Sequence, residues 1–240
     1  MNLAALETRL RGIVGDTSFS LVDIINNAIL ELAADIDLPT LKTLRHVDFS
    51  VTDDNWMFSA PDTFHKKIFR ALDSRDNMIR HSSQRKPLGF DYLENLYAIY
   101  HHHHHAPHVR VVASADTGGL KYIGVFPRAN ETIKLWFYQK PPVLEEPDDE
   151  CFCIPPEYHD RVLISKAVLI AHENLTDLVE NLDPSKQQNY WLGRLADGLN
   201  GRVGGSIGLI NYLTKISGDA PRRHGGRDPI GPGRYWRGYY

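Results

Sequence analysis

Five consecutive histidines, His101–His105, are the residues of this chain best suited to metal chemistry, and His108 follows them closely. Imidazole nitrogens bind zinc, nickel and copper. Adjacent side chains cannot all converge on one ion, however, and the chain lacks the His-Glu-x-x-His spacing of helical zinc sites. We interpret the run as a solvated polar loop, with an internal purification tag as an alternative. No metal or other cofactor is predicted.

The chain has two cysteines, Cys151 and Cys153, separated by one residue. Zinc sites favour two to four residues between paired cysteines together with a second ligand pair, which this sequence does not have. A disulfide between residues this close would be strained, so the pair gives no sign of an oxidising compartment. The sequence predicts strand-like packing of both side chains just before Pro155.

Motifs for nucleophilic catalysis and phosphate binding are missing from the sequence. There is no Gly-x-Ser-x-Gly motif, and the glycine cluster Gly201–Gly208 lacks the Gly-Lys-Ser/Thr ending of a phosphate loop. Each interior glycine destabilises a helix by about 1 kcal/mol, which favours a break between two helices over a smooth helix face. His159 and His172 are interpreted as surface or interface residues of a helix. The sequence therefore predicts no catalytic site.

Charge is distributed unevenly along the chain, although the formal net charge is only −3. Glu145–Glu150 contains five acidic residues, whereas the last 24 residues contain five arginines and two aspartates. Such asymmetry is typical of a terminal segment that docks on a partner, with a solvated tail as the alternative. No stretch approaches the roughly 18 apolar residues that a membrane span requires, so we expect neither secretion nor membrane insertion.

Helical periodicity marks both ends of the structured sequence. A helix is expected over about Leu3 to Val14, and a second follows Ser20, a residue type that favours the N-cap. Helical pattern returns at Pro155-Pro156, where prolines suit a first turn. Asp183-Pro184 then separates this helix from a last helical region that extends to about Ile216, on both sides of the glycine cluster.

Alternating apolar and polar residues between about Leu44 and Tyr138 predict a β-rich region. The last three strands of this region are separated by Asp116-Thr117-Gly118-Gly119 and by Arg128-Ala129-Asn130-Glu131, and we expect them to form a three-stranded meander. A short helix is expected within the region, roughly over Asp91 to Tyr100.

The segment after Ser217 is rich in glycine, proline and arginine and ends in four aromatic residues. Its composition gives it too little apolar surface to fold alone. Bidentate arginine pairs and aromatic side chains suit docking on a partner. Binding of single-stranded nucleic acid by base stacking is the alternative use of the same residue types.

Taken in order, these segments resemble the head-to-tail adaptor family of tailed phages, in the larger form in which a β-rich insertion interrupts a helical bundle. The resemblance spans roughly Ser20 to Gly205. It rests on aromatic and proline residues at the ends of elements: Ala60-Pro61-Asp62-Thr63-Phe64, Gly124-Val125-Phe126-Pro127, Leu135-Trp136-Phe137-Tyr138, Pro141-Pro142-Val143-Leu144 and Pro156-Glu157-Tyr158-His159.

The resemblance implies an α+β fold with three parts. Residues 1–43 and 155–216 would form a discontinuous helical bundle, residues 44–154 an inserted antiparallel β-rich subdomain with its short helix near 91–100, and residues 217–240 an extended C-terminal arm. It also implies a non-enzymatic virion protein in the neck between head and tail, assembled in the cytoplasm of the host bacterium.

The implied partners are the portal protein, a tail or nozzle protein, and further copies of this chain in a ring, expected to be dodecameric. DNA would pass through the lumen without sequence-specific binding, and no membrane partner is expected. The acidic residues 145–150 are interpreted as a solvated turn, for which a position facing the DNA channel is the further expectation. The alternatives are a tail-tube or stopper protein of the same neck and, from a different class, a metal-binding enzyme centred on the histidine run.

Two groups of residues are the candidate contact sites. Subunit contacts are expected at Tyr158, Tyr190 and Trp191, because large amphipathic aromatics are enriched in interface cores. The portal or a neighbouring subunit is expected to bind the arm through Arg222, Arg223, Arg227, Arg234, Tyr235, Trp236, Arg237, Tyr239 and Tyr240.

Overall fold

The structure, a computed structural model, describes residues 1–15, 17–81, 89–100, 105–117, 119–176, 184–201 and 207–217. The described part contains six α-helices and two three-stranded antiparallel sheets, which confirms the predicted α+β class. In chain order the elements are α1 (Leu3–Val14), α2 (Leu21–Asp35), β1 (Val47–Val51), β2 (Met57–Ser59), β3 (Phe64–Leu72), α3 (Phe90–Ile99), β4 (Val111–Thr117), β5 (Leu120–Phe126), β6 (Glu131–Gln139), α4 (Ile164–Thr176), α5 (Pro184–Asn200) and α6 (Leu209–Ser217).

The two N-terminal helices begin at side-chain caps. The Asn2 side chain accepts a hydrogen bond from the Ala5 amide at 3.1 Å, and the predicted cap Ser20 accepts one from Asp23 at 3.2 Å. A cap of this kind stabilises a helix by about 1 kcal/mol because it satisfies an amide that has no partner within the helix. The apolar stripe of α2 is buried as its spacing predicts, with Ile25 fully inside the core.

The C-terminal helices pack on the N-terminal ones, so the bundle is discontinuous in sequence as predicted. A short 3-10 turn, Pro156–Tyr158, leads into one π-helical segment, His159–Leu163, and then into α4. Helix α4 contacts α1, α2 and α5, and all of these elements contribute to one apolar cluster. His159 is only 1% exposed, so its interpretation as a surface residue is wrong; the π-helical segment turns its ring toward the core.

The glycine cluster separates two helices, as the interpretation of a break expected. Helix α5 ends at Asn200, and Gly201 follows with φ +83°, a conformation that glycine adopts without a steric penalty. A Cβ atom at Gly208 would lie 2.3 Å from the backbone of Asn200, so only glycine fits there.

The two sheets share one apolar core. Their strand orders are β1-β6-β3 and β2-β5-β4, and the inward-facing residues of both sheets form a single cluster that includes Phe137, Ile133 and Ile123. Strand β6 is central in the first sheet and β5 in the second, and each pairs with antiparallel neighbours along both of its edges. The face of the β2-β5-β4 sheet away from this cluster is covered by α3, for which Gly124 leaves room: an added Cβ would lie 2.6 Å from Leu93 Cδ1.

The predicted three-stranded meander is wrong. Strands β4 and β5 form a hairpin, but β6 leaves that sheet and pairs with β1 and β3. Both edges of β5 are already occupied, by β2 and β4. The connection between β5 and β6 includes Pro127, which has no amide to donate to a neighbouring strand.

Strand β3 attaches the β region to the bundle. The Lys66 ammonium donates to the carbonyl oxygens of Ala34 at 3.1 Å and Ile36 at 2.7 Å, at the end of α2. Cations are favourable at the C-terminus of a helix because they complement its dipole and its free carbonyl groups. Lys66 and Lys67 also form ion pairs with Asp37, so two consecutive residues of β3 hold the end of α2.

Among the described residues, no helix is both long and apolar enough to cross a membrane. The division into 1–43 with 155–216, 44–154 and 217–240 remains a prediction. The arm after Ser217 lies outside the described residues.

Candidate functional site

The exposed face of α5 carries the clearest cluster of residues suited to binding a protein. The rings of Tyr190 and Trp191 lie 5.2 Å apart and nearly perpendicular, and the Arg194 guanidinium lies 5.3 Å from the centre of the Trp191 ring. Arg194 Nη1 also donates to the Tyr190 hydroxyl at 3.3 Å. We call these three residues the α5 aromatic cluster.

The members of the α5 aromatic cluster differ in burial. Tyr190 is 59% exposed, whereas Trp191 is half-buried and packs against the helical core. Tyrosine, tryptophan and arginine are the residue types most enriched at binding hot spots. Tyr190 and Trp191 are predicted contact residues and Arg194 is not among them. Arg194 follows Trp191 by three residues and Tyr190 by four, so its side chain is a helix neighbour of both.

Tyr158, the third residue expected at a subunit contact, lies inside the chain. It is 7% exposed, its ring lies 5.5 Å from that of Tyr212, and its hydroxyl donates to the Ile207 carbonyl at 2.9 Å. Burial raises the pKa of this hydroxyl, with Glu157 adding to the effect. In the single chain, Tyr158 therefore fixes α6 against the start of the π-helical segment.

The nine arm residues expected to bind the portal or a neighbour lie outside the described residues. They are Arg222, Arg223, Arg227, Arg234, Tyr235, Trp236, Arg237, Tyr239 and Tyr240.

The acidic residues 145–150 form an exposed turn beside the start of α1. The Asp149 carboxylate accepts the amides of Glu145 at 2.7 Å and Glu146 at 2.9 Å, and these hydrogen bonds lower its pKa. The backbone of the same turn accepts from the amides of Leu3 and Ala4. The turn thus presents a negatively charged surface that is anchored to the bundle.

The histidine run gives no metal site within the described residues. His101–His104 lie outside them, and among the described residues no three histidine, cysteine or acidic side chains are placed to share an ion. His108 Nδ1 lies 3.1 Å from Glu131 Oε2, so it is engaged with a carboxylate.

The Glu131 side chain is only 4% exposed, and its carboxylate is bonded to three residues of the β region. Its Oε1 accepts the Val109 amide at 2.5 Å, and its Oε2 accepts the Ser74 hydroxyl at 2.7 Å in addition to His108. Burial raises the pKa of Glu131, but the bonds from Val109, Ser74 and His108 outweigh that effect and lower it. Ser74 and His108 both bind the carboxylate, an arrangement that stabilises the fold without activating the serine.

Comparison with known proteins gives one match and one negative result. The family model described as "SU10 adaptor protein" matches residues 1–211. No curated protein sequence matches the chain. The matched residues span both helical parts of the bundle and the whole β region between them.

Proposed function

Given that the chain belongs to the SU10 adaptor protein family, a family of phage adaptor proteins, we propose that it forms a ring in the neck of the virion that joins the portal to the tail. The observation that carries this proposal is the extent of the match, which covers residues 1–211 and therefore every strand and nearly every helix of the fold. Membership of this family also suggests a structural role without catalysis.

We propose that the ring is held by helix contacts that include the α5 aromatic cluster. The exposed Tyr190 ring, fixed by Trp191 and Arg194, is a rigid amphipathic surface that can bury apolar area at small entropic cost. We expect a dodecameric ring with DNA passing through its lumen. The acidic residues 145–150 would suit the lumen because negative charge prevents DNA from adhering.

The arm is proposed to anchor the ring on the portal or on an adjacent subunit. It begins beyond the last residue that the family model matches. Its five arginines can pair with carboxylates of the partner, and its terminal aromatics can fill apolar pockets.

Native mass spectrometry of the purified chain, alone and with portal protein, tests the proposal. We expect a discrete ring that binds the portal and contains no stoichiometric metal. A chain that stays monomeric in the presence of portal protein would contradict the ring, and a metallated monomer would favour an enzyme.

Truncation after Ser217 tests the arm separately. The truncated chain should fold and lose portal binding, and replacing Tyr235, Trp236, Tyr239 and Tyr240 with alanine should reproduce most of that loss. If truncation leaves portal binding unchanged but abolishes retention on DNA at low salt, the arm binds nucleic acid.

A further inference from the structure

The two cysteines lie side by side in the helical core. The Sγ atoms of Cys151 and Cys153 are 3.5 Å apart, and the two residues are 3% and 2% exposed. Phe152, between them, is 57% exposed. The alternation of buried and exposed side chains agrees with the predicted strand-like packing, although the segment itself is irregular and belongs to no strand.

Few bonds hold this segment in place. The Thr40 hydroxyl donates to the Cys153 carbonyl at 3.2 Å, and His159 Nε2 lies 2.7 Å from the Ile154 carbonyl. An irregular segment with an exposed residue at its centre and few hydrogen bonds can open locally without unfolding the domain. Reaction of the two thiols requires such an opening, because both are nearly fully buried in the helical core.

The surroundings shift the pKa values of the two thiols in opposite directions. The hydrogen bond from the Cys153 thiol lowers the pKa of Cys151, and although burial opposes this shift, His159 adds to it. The same hydrogen bond and burial raise the pKa of Cys153. Because the thiolate is the nucleophile of exchange reactions, we assign Cys151 as the attacking sulfur and Cys153 as the resolving one.

We propose that Cys151 and Cys153 form a reversible disulfide by exchange with a small-molecule disulfide such as oxidised glutathione. The Cys151 thiolate attacks one sulfur of the reagent, forms a mixed disulfide and releases one thiolate. Cys153 then gives its proton to water and attacks Cys151 Sγ, which closes the protein disulfide and releases the second thiolate. The two cysteines are oxidised together, and one reagent disulfide is reduced to two thiols.

The short spacing between the two cysteines determines how easily their disulfide is reduced. A disulfide between residues two apart is strained, and strained disulfides have more oxidising potentials and are readily reduced. The pair would then stay reduced in a cytosol buffered by glutathione and would close in oxidising surroundings. The further consequence that the pair closes after virions leave the host rests on the proposed function, whereas the chemistry of the pair does not.

The test uses the purified full-length chain without portal protein, so its result is independent of adaptor function. The chain is equilibrated in mixtures of reduced and oxidised glutathione, quenched with acid and weighed by mass spectrometry. Oxidising mixtures should lower the mass by two hydrogen atoms, and reduced glutathione should restore it. Circular dichroism should show a folded chain throughout.

Two single variants separate the roles of the sulfurs. Cys153→Ser should take up one glutathione at Cys151 and keep it, whereas Cys151→Ser should react much more slowly. The opposite pattern would overturn the assignment of roles. The proposal itself fails if the unmutated chain takes up glutathione without closing, or if it is oxidised only in urea concentrations that unfold it.

Discussion

Gly198 of α5 lies directly against the Arg161 carbonyl group of the π-helical segment. A Cβ atom at Gly198 would be 2.9 Å from the Arg161 oxygen and 2.9 Å from Val162 Cγ2. Backbone atoms cannot give way as the end of a flexible side chain can, so the approach of α5 to this segment depends on the missing side chain.

Gly198→Ala should therefore destabilise the bundle. Alanine is favoured over glycine within a helix by about 1 kcal/mol, but overpacking costs about 1–3 kcal/mol, so the clash should win. Gly193 is the matched control: it lies in the same helix with nothing within 4 Å of an added Cβ, and Gly193→Ala should stabilise. Urea unfolding of both variants measures the difference. Equal gains at the two positions would mean that α5 does not approach this closely.

Glu131→Gln should destabilise the β region by about 1–3 kcal/mol, the cost of a buried donor left without an acceptor. The carboxylate accepts from Val109, Ser74 and His108, and an amide side chain offers only one acceptor oxygen to these donors. Glu145→Gln, in the exposed acidic turn, is the control and should stay within about 0.5 kcal/mol of the unmutated chain. Thermal unfolding of both variants tests this, and a neutral Glu131→Gln would contradict the bonding described.

The folding stability should decrease as the pH is lowered, because of His65. This residue is 6% exposed, and burial together with the charges of Lys121 and Lys66 lowers its pKa to about 4. The unfolded chain binds a proton at His65 below about pH 6.5 while the folded chain does not, so folding stability is lost as the pH falls from about 6.5 to about 4. The loss from this residue should reach about 3 kcal/mol.

His65→Leu should make that part of the pH dependence smaller. Urea unfolding at a series of pH values, with and without the substitution, measures the difference between the two slopes. Parallel curves would show that His65 is protonated in the folded chain as easily as in the unfolded one.

Tyr190→Ala should weaken ring assembly while leaving the folding of the single chain almost unchanged. Tyr190 is mostly exposed, so its loss should change the free energy of unfolding by no more than about 0.5 kcal/mol, yet it should weaken the ring by more than about 1 kcal/mol per contact. Trp191→Ala should weaken both, since its ring also packs on the core and such truncations cost about 3 kcal/mol.

Leu192→Ala is the control for Tyr190, because Leu192 is 40% exposed but points to a different face of α5. Thermal unfolding and native mass spectrometry are measured on the same samples. The interface proposal would fail if the Tyr190 and Leu192 variants assembled equally well.

Local signals predict α1 and α2 correctly, whereas strand pairing requires information that local patterns do not hold. The Ser20 cap and the stripe of α2 were readable because both depend on residues within one or two turns. Strand β3 was not recognised: register shifts against β6 occur three times between Phe64 and Arg70, and they disrupt the alternation by which strands are detected. The partner of β6 was also mispredicted, because pairing depends on which edges remain free.

In the candidate site, too, local residue types predict some members, whereas others depend on contacts between distant parts of the chain. Tyr190 and Trp191 could be proposed from residue type alone, whereas the burial of Tyr158 follows from the distant Tyr212 and Ile207. Arg194 is significant only once its stacking on Trp191 is seen.

The attachment of β3 to α2 determines how a pulling force would pass through the molecule. Lys66 and Lys67 hold the end of α2 through two carbonyl groups and the Asp37 carboxylate, all within two consecutive residues of one strand. Bonds concentrated at one point bear a load together and fail together. Under tension, β3 and the end of α2 would therefore move together until these bonds broke.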